Sequence, residues 1–423
     1  MSFTSESSQS DPLLVVYQKD YTETLTKIRS NDIPCSSNEK AELRAHIVRA
    51  RKDLDSCVED TVRVHILKTL ELQESLLAPI RNLPSEILHE IFQLVVRAGP
   101  STDFMPGIRY APRPDKPSKN GKLCGTAFLF TWICVWWRDE ALSQPAFWSC
   151  IDIQFPCQDL RPEHCHSESF EVLEFLKECI LRSGSYAPVN VRIELDYVDH
   201  QAISPDHLDV LETLLERADR WRTLTFDYGW SLNFPHQVID LFDAKHARAP
   251  SAPLFPFLKD LKLLRKGYNR VPNLELGPMF RYFPPLRSLD IPSLFESDEA
   301  NFELLWKLKV RVYSGHSLAG LLRRCPSLKC LKVGCFANQH QSSPTTSSTD
   351  TQVISHPRLW RLEVGSIGDN FRCGAWNFVC LPRLKRLHVS VDTDEGGSEA
   401  PVELRAPLIE LKEMIQRSKC TLE

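Results

Sequence analysis

The chain lacks the compositional features that would place it in several common functional classes. Its 423 residues carry a formal net charge of −4 at pH 7, so no excess of basic residues indicates a nucleic-acid partner or an anionic membrane surface. The most apolar stretch without a charge, residues 123–137, is fifteen residues long, whereas a helix needs about 18 apolar residues to cross a bilayer. These absences predict a protein with no nucleic-acid partner and no membrane partner.

Sequence motifs of common catalytic and cofactor sites are missing as well. The chain contains neither a phosphate-binding G-x-x-x-x-G-K or G-x-G-x-x-G loop nor a G-x-S-x-G nucleophile elbow. Its densest group of metal-binding side chains is His164-Cys165-His166, and adjacent residues cannot all face one tetrahedral ion. We therefore expect no enzyme activity, no cofactor and no metal site. The alternative is a catalytic site assembled from residues that are distant in sequence.

The cysteines point to a reducing compartment. There are 14 of them, scattered and without a Cys-x-x-Cys pair, which predicts reduced, buried thiols rather than a disulfide framework. The first ten residues are polar and rich in serine, unlike a secretory leader. Both observations favour a cytoplasmic or nuclear protein.

The N-terminal 78 residues predict a disordered start followed by helix. Residues 1–12 are polar and lack periodicity, which predicts disorder, whereas residues 13–78 form an amphipathic helical region. Residues 36–78 are expected to be helical throughout, with Ser36 or Ser37 as the N-cap. The apolar spacing leaves two alternatives open: a coiled-coil dimer, or an amphipathic helix or helical hairpin within one chain.

Two further helical segments follow this region. Residues 83–92 have apolar side chains at helical spacing, and Pro84 suits a first helical turn because its missing N–H costs nothing there. Residues 133–142 predict a helix too apolar to remain in water, with an aromatic pair followed by Arg138. Between the two, residues 97–122 are rich in proline, glycine and charge and predict a loop.

The two segments resemble the halves of an F-box, in the form found in fungal proteins that carry a helical region before it. The first half fits the pattern "LPxEIL-x-x-IF" and the second fits "VC-x-x-WR-x-x-AL-x-x-P-x-LW". The matching residues are Leu83, Pro84, Glu86, Ile87, Leu88, Ile91 and Phe92, then Cys134, Trp137, Arg138, Ala141, Leu142, Pro145 and Trp148. The resemblance places an F-box at residues 79–150, interrupted by the loop 97–122.

An F-box docks a substrate receptor onto the Skp-type adaptor of a cullin-RING ubiquitin ligase, so the resemblance implies the adaptor and, through it, a cullin as partners. The adaptor contacts that it implies are Leu83, Pro84, Ile87, Leu88, Ile91, Phe92, Cys134, Trp137, Arg138, Leu142 and Trp148. The residue chemistry agrees, because two helices of this size have more apolar surface than they can bury against each other. Exposed apolar patches of that kind mark protein interfaces.

A weak repeat of the form apolar-x-x-Leu-x-apolar begins at the end of the F-box and continues through residues 151–423. Its instances start at Trp148, Trp221, Leu258, Leu286, Leu328, Leu359 and Leu384. From Trp221 onward they lie 37, 28, 42, 31 and 25 residues apart, compared with about 20–29 in typical leucine-rich repeats. The last two apolar positions alternate along a strand, and a strand–helix unit buries its faces only by stacking. The region resembles leucine-rich repeats, which implies an irregular α/β solenoid whose last repeat is incomplete.

Outward side chains of the repeat strands are the predicted client-binding residues. They are Asp227, Asp260, Lys262, Asp290, Lys332, Arg361, Glu363, Arg386 and His388. Their charges have both signs, so they indicate an unknown client protein without indicating its chemistry. The implied function is a non-catalytic substrate-recognition subunit of a Skp–cullin–F-box ubiquitin ligase. The alternative is a repeat scaffold that is not assembled into a ligase.

Overall fold

The fold is mixed α/β and divides into a helical unit and a sheet unit, each with its own core. The helical unit comprises Met1–Gly107 and Gly125–Trp148, and the sheet unit comprises Ile108–Cys124 and Ser149–Glu423. The computed structural model describes residues 12–30, 32, 34, 36–97, 108–112, 121–155, 169–195, 205–227, 236–248, 253–264, 277–298, 300–315, 318–336, 353–365, 376, 378–390 and 402–423. The predicted disorder of residues 1–12 lies outside the described residues, except at Pro12, which begins a helix instead.

The helical unit contains a three-helix bundle followed by the helices of the segments that were predicted as an F-box. The bundle helices are α1 (Pro12–Ser30), α2 (Ser37–Ser56) and α3 (Asp60–Leu76). Their shared core consists of Tyr17, Ile47, Ala50, Val62, Ile66 and Leu70. A short 3-10 turn, Pro79–Asn82, leads to α4 (Ser85–Arg97), and the unit ends with α5 (Thr126–Ile133), α6 (Val135–Leu142) and α7 (Pro145–Trp148).

The expectation of continuous helix over residues 36–78 is wrong at residues 57–59. There the chain leaves the helical conformation, and Val58 is 96% exposed. The break lets α2 and α3 pack against each other, which is the hairpin alternative. At the start of α2 the structure selects Ser36 as the cap: its hydroxyl accepts the Glu39 N–H (3.1 Å), and the Glu39 carboxylate accepts the Ser36 N–H (2.9 Å).

The sheet unit is built on one eleven-stranded sheet. Its spatial order is β13-β11-β9-β8-β7-β6-β5-β4-β3-β1-β2, and all neighbours are parallel except β1 and β2. The strands are β1 (Ile108–Pro112), β2 (Gly121–Cys124), β3 (Cys150–Phe155), β4 (Val189–Leu195), β5 (Trp221–Asp227), β6 (Asp260–Leu264), β7 (Ser288–Phe295), β8 (Lys307–Ser314), β9 (Cys330–Phe336), β11 (Arg361–Val364) and β13 (Arg386–Val389). A separate parallel pair joins β10 (Ile354–Ser355) to β12 (Val379–Cys380).

One apolar residue from each of nine parallel strands forms a continuous ladder. Its members pair in register across the sheet and all are buried except Leu387; they are Ile151, Val191, Leu224, Leu261, Leu289, Leu308, Leu331, Leu362 and Leu387. Each is the fourth position of the repeat motif or its equivalent. Alternation along the strand therefore turns the neighbouring third and fifth positions toward the other face.

The helices of this unit are α8 (Ser169–Arg182), α9 (Pro205–Leu215), α10 (His236–Ala247), α11 (Gly277–Phe280), α12 (Leu318–Arg324) and α13 (Val402–Ser418). At β4 and β5 they cover the apolar face, since α9 and α10 residues line one small cavity together with Ile193 and Phe226. Within the described chain, none of the helices combines the length and the hydrophobicity that crossing a bilayer requires.

Two features of the sheet differ from the sequence expectation. The inserted segment 97–122, expected to be a loop, contributes the end of α4 and the strands β1 and β2, because the edge of β3 offers β1 free backbone partners. The interval from Leu286 to Leu328 contains an additional strand, β8. Leu305-x-x-Leu308-x-Val310 carries the repeat motif, which divides the 42-residue spacing into two ordinary repeats.

Candidate interaction surfaces

An aromatic cluster holds the helices α4, α5, α6 and α7 together. Phe92 of α4 stacks on Phe130 of α5 (ring centroids 4.0 Å apart) and meets Trp137 of α6 edge-on at 4.9 Å. Phe147 of α7 packs on both phenylalanines, each at 5.9 Å. Phe92 and its helical neighbour Leu88 are fully buried, so this side of α4 forms the interior of the module.

Polar contacts fix the same helices. The Trp148 indole N–H donates to the Ala141 carbonyl (3.0 Å), and Arg138 Nε donates to the Thr131 carbonyl (3.0 Å). His89 Nε2 lies 2.7 Å from a carboxylate oxygen of Glu140, which connects α4 to α6. These bonds satisfy polar groups in the module and give Arg138 and Trp148 structural roles.

The structure divides the predicted adaptor-binding residues into three groups. Leu88, Phe92 and Trp148 are fully buried in the module core, so their prediction as adaptor contacts is corrected: they support the surface without forming it. Residues that are partly accessible are Leu83, Ile91, Cys134, Trp137 and Leu142. Residues that are exposed are Pro84, Ile87 and Arg138.

Apolar side chains that the sequence analysis did not select form the exposed faces of α4 and α5. On α4, Leu94 is 60% exposed and lies one turn beyond the partly buried Ile91. On α5, Leu129 and Trp132 are 56% and 65% exposed, and Ile133 joins them on the same helical face. The sequence signal was the i, i+3, i+4 spacing of these three α5 residues within the uncharged stretch 123–137.

The predicted client-binding residues fall into two adjacent rows on the polar face of the sheet. Register pairing aligns the third motif positions, among them Asp260, Arg361 and Arg386. It also aligns the fifth positions, Lys262, Asp290, Lys309, Lys332, Glu363 and His388. Asp227 lies outside both rows at the end of β5 and is buried, so its prediction as a client contact is corrected.

Ion pairs give these rows a defined electrostatic pattern. Glu363 accepts hydrogen bonds from Lys332 Nζ (2.9 Å) and Arg361 Nε (2.7 Å), and these bonds lower the pKa of the Glu363 carboxyl below its ordinary value. Lys309 Nζ lies 2.9 Å from the Asp290 carboxylate. Lys307 and Lys309 were missed as surface residues because β8 itself was missed.

The described residues contain neither a metal-ligating cluster nor a disulfide. No three His, Cys, Asp or Glu side chains in the described ranges are grouped so as to hold a metal ion. Each cysteine whose side chain the structure describes is a free thiol. Burial raises the pKa of Cys179 and of Cys325 to about 12, which keeps both as protonated, unreactive thiols.

Comparison of the chain with protein-family models, with curated proteins and with solved structures finds no significant match. Functional interpretation therefore depends on the chain's own motifs, surfaces and charges.

Proposed function

We propose that this protein is an F-box substrate receptor, docking a Skp-type adaptor with its helical unit and a client protein with its sheet unit. The observation that carries the proposal is the apolar surface of α4 and α5, which lies beside the F-box motif residues and remains exposed in the single chain. Burying about 100 Å² of such surface against a partner is worth roughly 2.5 kcal/mol. A few side chains of this size therefore supply a docking anchor.

We further propose that the sheet unit is a leucine-rich-repeat-like solenoid. In support, the nine strands from β3 to β13 in the large sheet are parallel and follow one another in chain order. Each repeat contributes one rung to the buried ladder, which is how stacked strand–helix units bury faces that a single unit leaves exposed. Such an array presents its outward rows as one continuous surface to a client.

The mechanism is positional. A receptor of this kind holds the client close to the ligase's charged ubiquitin carrier, which raises the effective concentration of the reacting groups without adding chemistry of its own. In this proposal the chain needs no catalytic residue.

The test is direct binding of the full chain to a purified Skp-type adaptor. Leu129→Ser and Trp132→Ala remove exposed side chains from α5, and we expect each to weaken adaptor binding about tenfold or more. The matched control is Leu181→Ser, an even more exposed leucine (71%) on α8 of the sheet unit, which should leave the affinity unchanged. Leu88→Asp is unsuitable, because a charge at a fully buried position disrupts the module itself.

A folded wild-type chain that ignores the adaptor would contradict the proposal and leave the repeat scaffold as the better reading. Equal losses in Leu129→Ser and Leu181→Ser would also contradict it, since the α5 face would then have no special role.

A further inference from the structure

A third row of side chains borders the polar face of the sheet. Its members occupy the second position of the repeat motif, directly after the first apolar residue. From the second member onward, each backbone N–H donates to the carbonyl of the equivalent residue in the preceding repeat, at 2.8–3.0 Å. We call these residues the basic row: Arg222, Lys259, Arg287, Trp306, Lys329, Trp360 and Lys385. Five repeats therefore contribute a cation and two contribute a tryptophan.

The basic row is accessible. Arg222, Arg287, Lys329 and Lys385 are exposed, and Trp306 is 40% exposed. Among the residues that the structure describes, no carboxylate lies within 4.0 Å of the side-chain nitrogens of Arg222, Lys259, Arg287 or Lys329. Within the described part of the chain these cations are therefore not held in ion pairs, which leaves them available to an anionic partner.

The basic row and the polar face form one electrostatic surface. Partial burial raises the pKa of Asp260, and the cations Arg222, Lys262, Lys307 and Arg287 act in the opposite direction on it. Two of these cations belong to the basic row and two to the outward rows of the strands, so both sets lie close to the same carboxylate. With Lys307 and Lys309 included, cations outnumber carboxylates on this surface, although the whole chain is acidic with a net charge of −4.

The row ends at an open depression of about 910 Å³. Lys329, Arg358, Arg383 and Lys385 contribute cations to its wall, and Trp360 contributes an aromatic ring. Arg358 donates to the Ser327 hydroxyl (3.2 Å), and Lys385 pairs with Glu423 (2.6 Å), whereas Arg383 has no such contact in the described chain. A cationic depression with one aromatic wall suits an anionic side chain flanked by an apolar one.

We propose that the basic row and this depression bind an extended, anionic segment of a client polypeptide. The identity of the bound polypeptide as a client rests on the proposed function. The binding itself requires no adaptor. The anionic groups are carboxylates or phosphates, which share the same charge complementarity to lysine and arginine.

A polypeptide fits this surface better than a nucleic acid. Every nucleotide carries a negative charge, and the carboxylates Asp260, Asp290 and Glu363, which lie among the cations, would each oppose a continuous polyanion. A polypeptide can place anionic side chains at the cations and neutral ones elsewhere. Six steps of about 4.8 Å between strands span about 29 Å, which an extended peptide of about nine residues covers.

The experiment measures fluorescence anisotropy of labelled peptides of that length with the full chain at about 0.1 M salt, where the Debye length is about 10 Å. The probes are a Glu–Ser repeat, a Gln–phosphoserine repeat, an uncharged Gln–Ser repeat and a single-stranded oligothymidine. We expect both anionic peptides, or one of them, to bind and the uncharged peptide to stay free. Preference between the first two identifies carboxylate or phosphate as the recognised group.

The test variant is Arg287→Glu/Lys329→Glu, which should weaken binding of the anionic peptide on the order of tenfold or more, because it replaces two attractions with two repulsions. Its control is Lys177→Glu/Lys412→Glu, which makes the same charge change at exposed positions of α8 and α13 and should bind within about twofold of wild type. The charge-conserving Arg287→Lys/Lys329→Arg should also retain binding.

Several results would overturn the inference: no binding of either anionic peptide by the folded wild-type chain, equal losses in test and control variants, or tighter binding of the oligothymidine. Adaptor binding measured on the same preparations separates this inference from the proposed function. A chain that binds adaptor without binding peptide refutes the inference alone, and a chain that binds peptide without binding adaptor refutes the ligase assignment alone.

Discussion

The candidate surface of the helical unit is apolar, whereas that of the sheet unit is cationic. In the helical unit, α4 and α5 leave Leu94, Leu129 and Trp132 in solvent, although Leu88 and Phe92 fill the interior. In the sheet unit, the apolar ladder is buried rung by rung, and the adjoining surface carries Arg287, Lys307 and Lys329. One chain therefore has an apolar surface and a cationic surface, each on a unit with its own hydrophobic core.

This difference indicates two different kinds of binding. Apolar burial is non-directional and is little affected by dissolved ions, which suits a constant partner held by shape. Exposed cations attract partners over a distance set by ionic strength, and they select by charge. In the proposed function, the invariant adaptor would use the apolar surface and the varying clients would use the cationic surface.

The largest expected effect is a loss of stability in the core beneath the apolar surface of the helical unit. Phe92→Ala removes the ring at the centre of the aromatic cluster and should lower the free energy of unfolding by about 3–5 kcal/mol, because the buried cavity refills only partly. Urea unfolding monitored by tryptophan fluorescence measures this loss. Leu94→Ala, on the exposed side of the same helix, is the control and should change stability by less than about 0.5 kcal/mol. Equal effects would show that the two sides of α4 do not differ as described.

A smaller effect is the weakening of peptide binding by salt, which should distinguish the two surfaces. Raising ionic strength from about 0.1 M to about 1 M shortens the Debye length from about 10 Å to about 3 Å, so peptide binding to the basic row should weaken on the order of tenfold. Adaptor binding to the apolar faces should change by less than about twofold over the same range. Titrations of both ligands at several salt concentrations, with one protein preparation, give the salt dependence of each affinity. Equal salt dependences would mean that the two surfaces bind by the same kind of force.

The smallest effect concerns Glu363, whose pKa is lowered by Lys332 and Arg361. A lowered pKa in the folded state contributes stability above the unfolded value of about 4.3, and this contribution is lost as pH falls below it. Both cations are half exposed, so Glu363→Gln should cost only about 0.2–1 kcal/mol at pH 7. Urea midpoints of wild type and variant should converge as the pH falls through the lowered pKa of Glu363. A difference that persists at acid pH would assign the effect to packing.

The sequence predicts the strand positions well because the repeat motif places two alternating apolar residues on each strand. The strands β3, β5, β6, β7, β9, β11 and β13 all follow a motif instance. Strand β8 carries the same motif but was missed, because the interval from Leu286 to Leu328 was treated as one irregular repeat. Strands β1 and β2 were unpredictable from local composition, since pairing with the edge of β3 comes from a segment distant in sequence.

The candidate sites were predicted less completely than the strands. Helical periodicity identifies the apolar side of α4, but it cannot say which part of that side the rest of the module covers. Leu88 and Phe92 are therefore core, whereas Ile87 and Leu94 are surface. The basic row was invisible for a related reason: its members are one per repeat, tens of residues apart, and only the register of a parallel sheet aligns them.

The continuous ladder of apolar residues also affects how the basic row can change during evolution. Each rung is supplied by one strand whose inward apolar residue anchors it, and the basic-row residue lies at a separate position. If the basic row binds a client, an exchange of Lys329 or Trp360 would change recognition without disturbing Leu331 or Leu362. Diversification of the bound partner can then proceed one strand at a time while the scaffold beneath stays fixed.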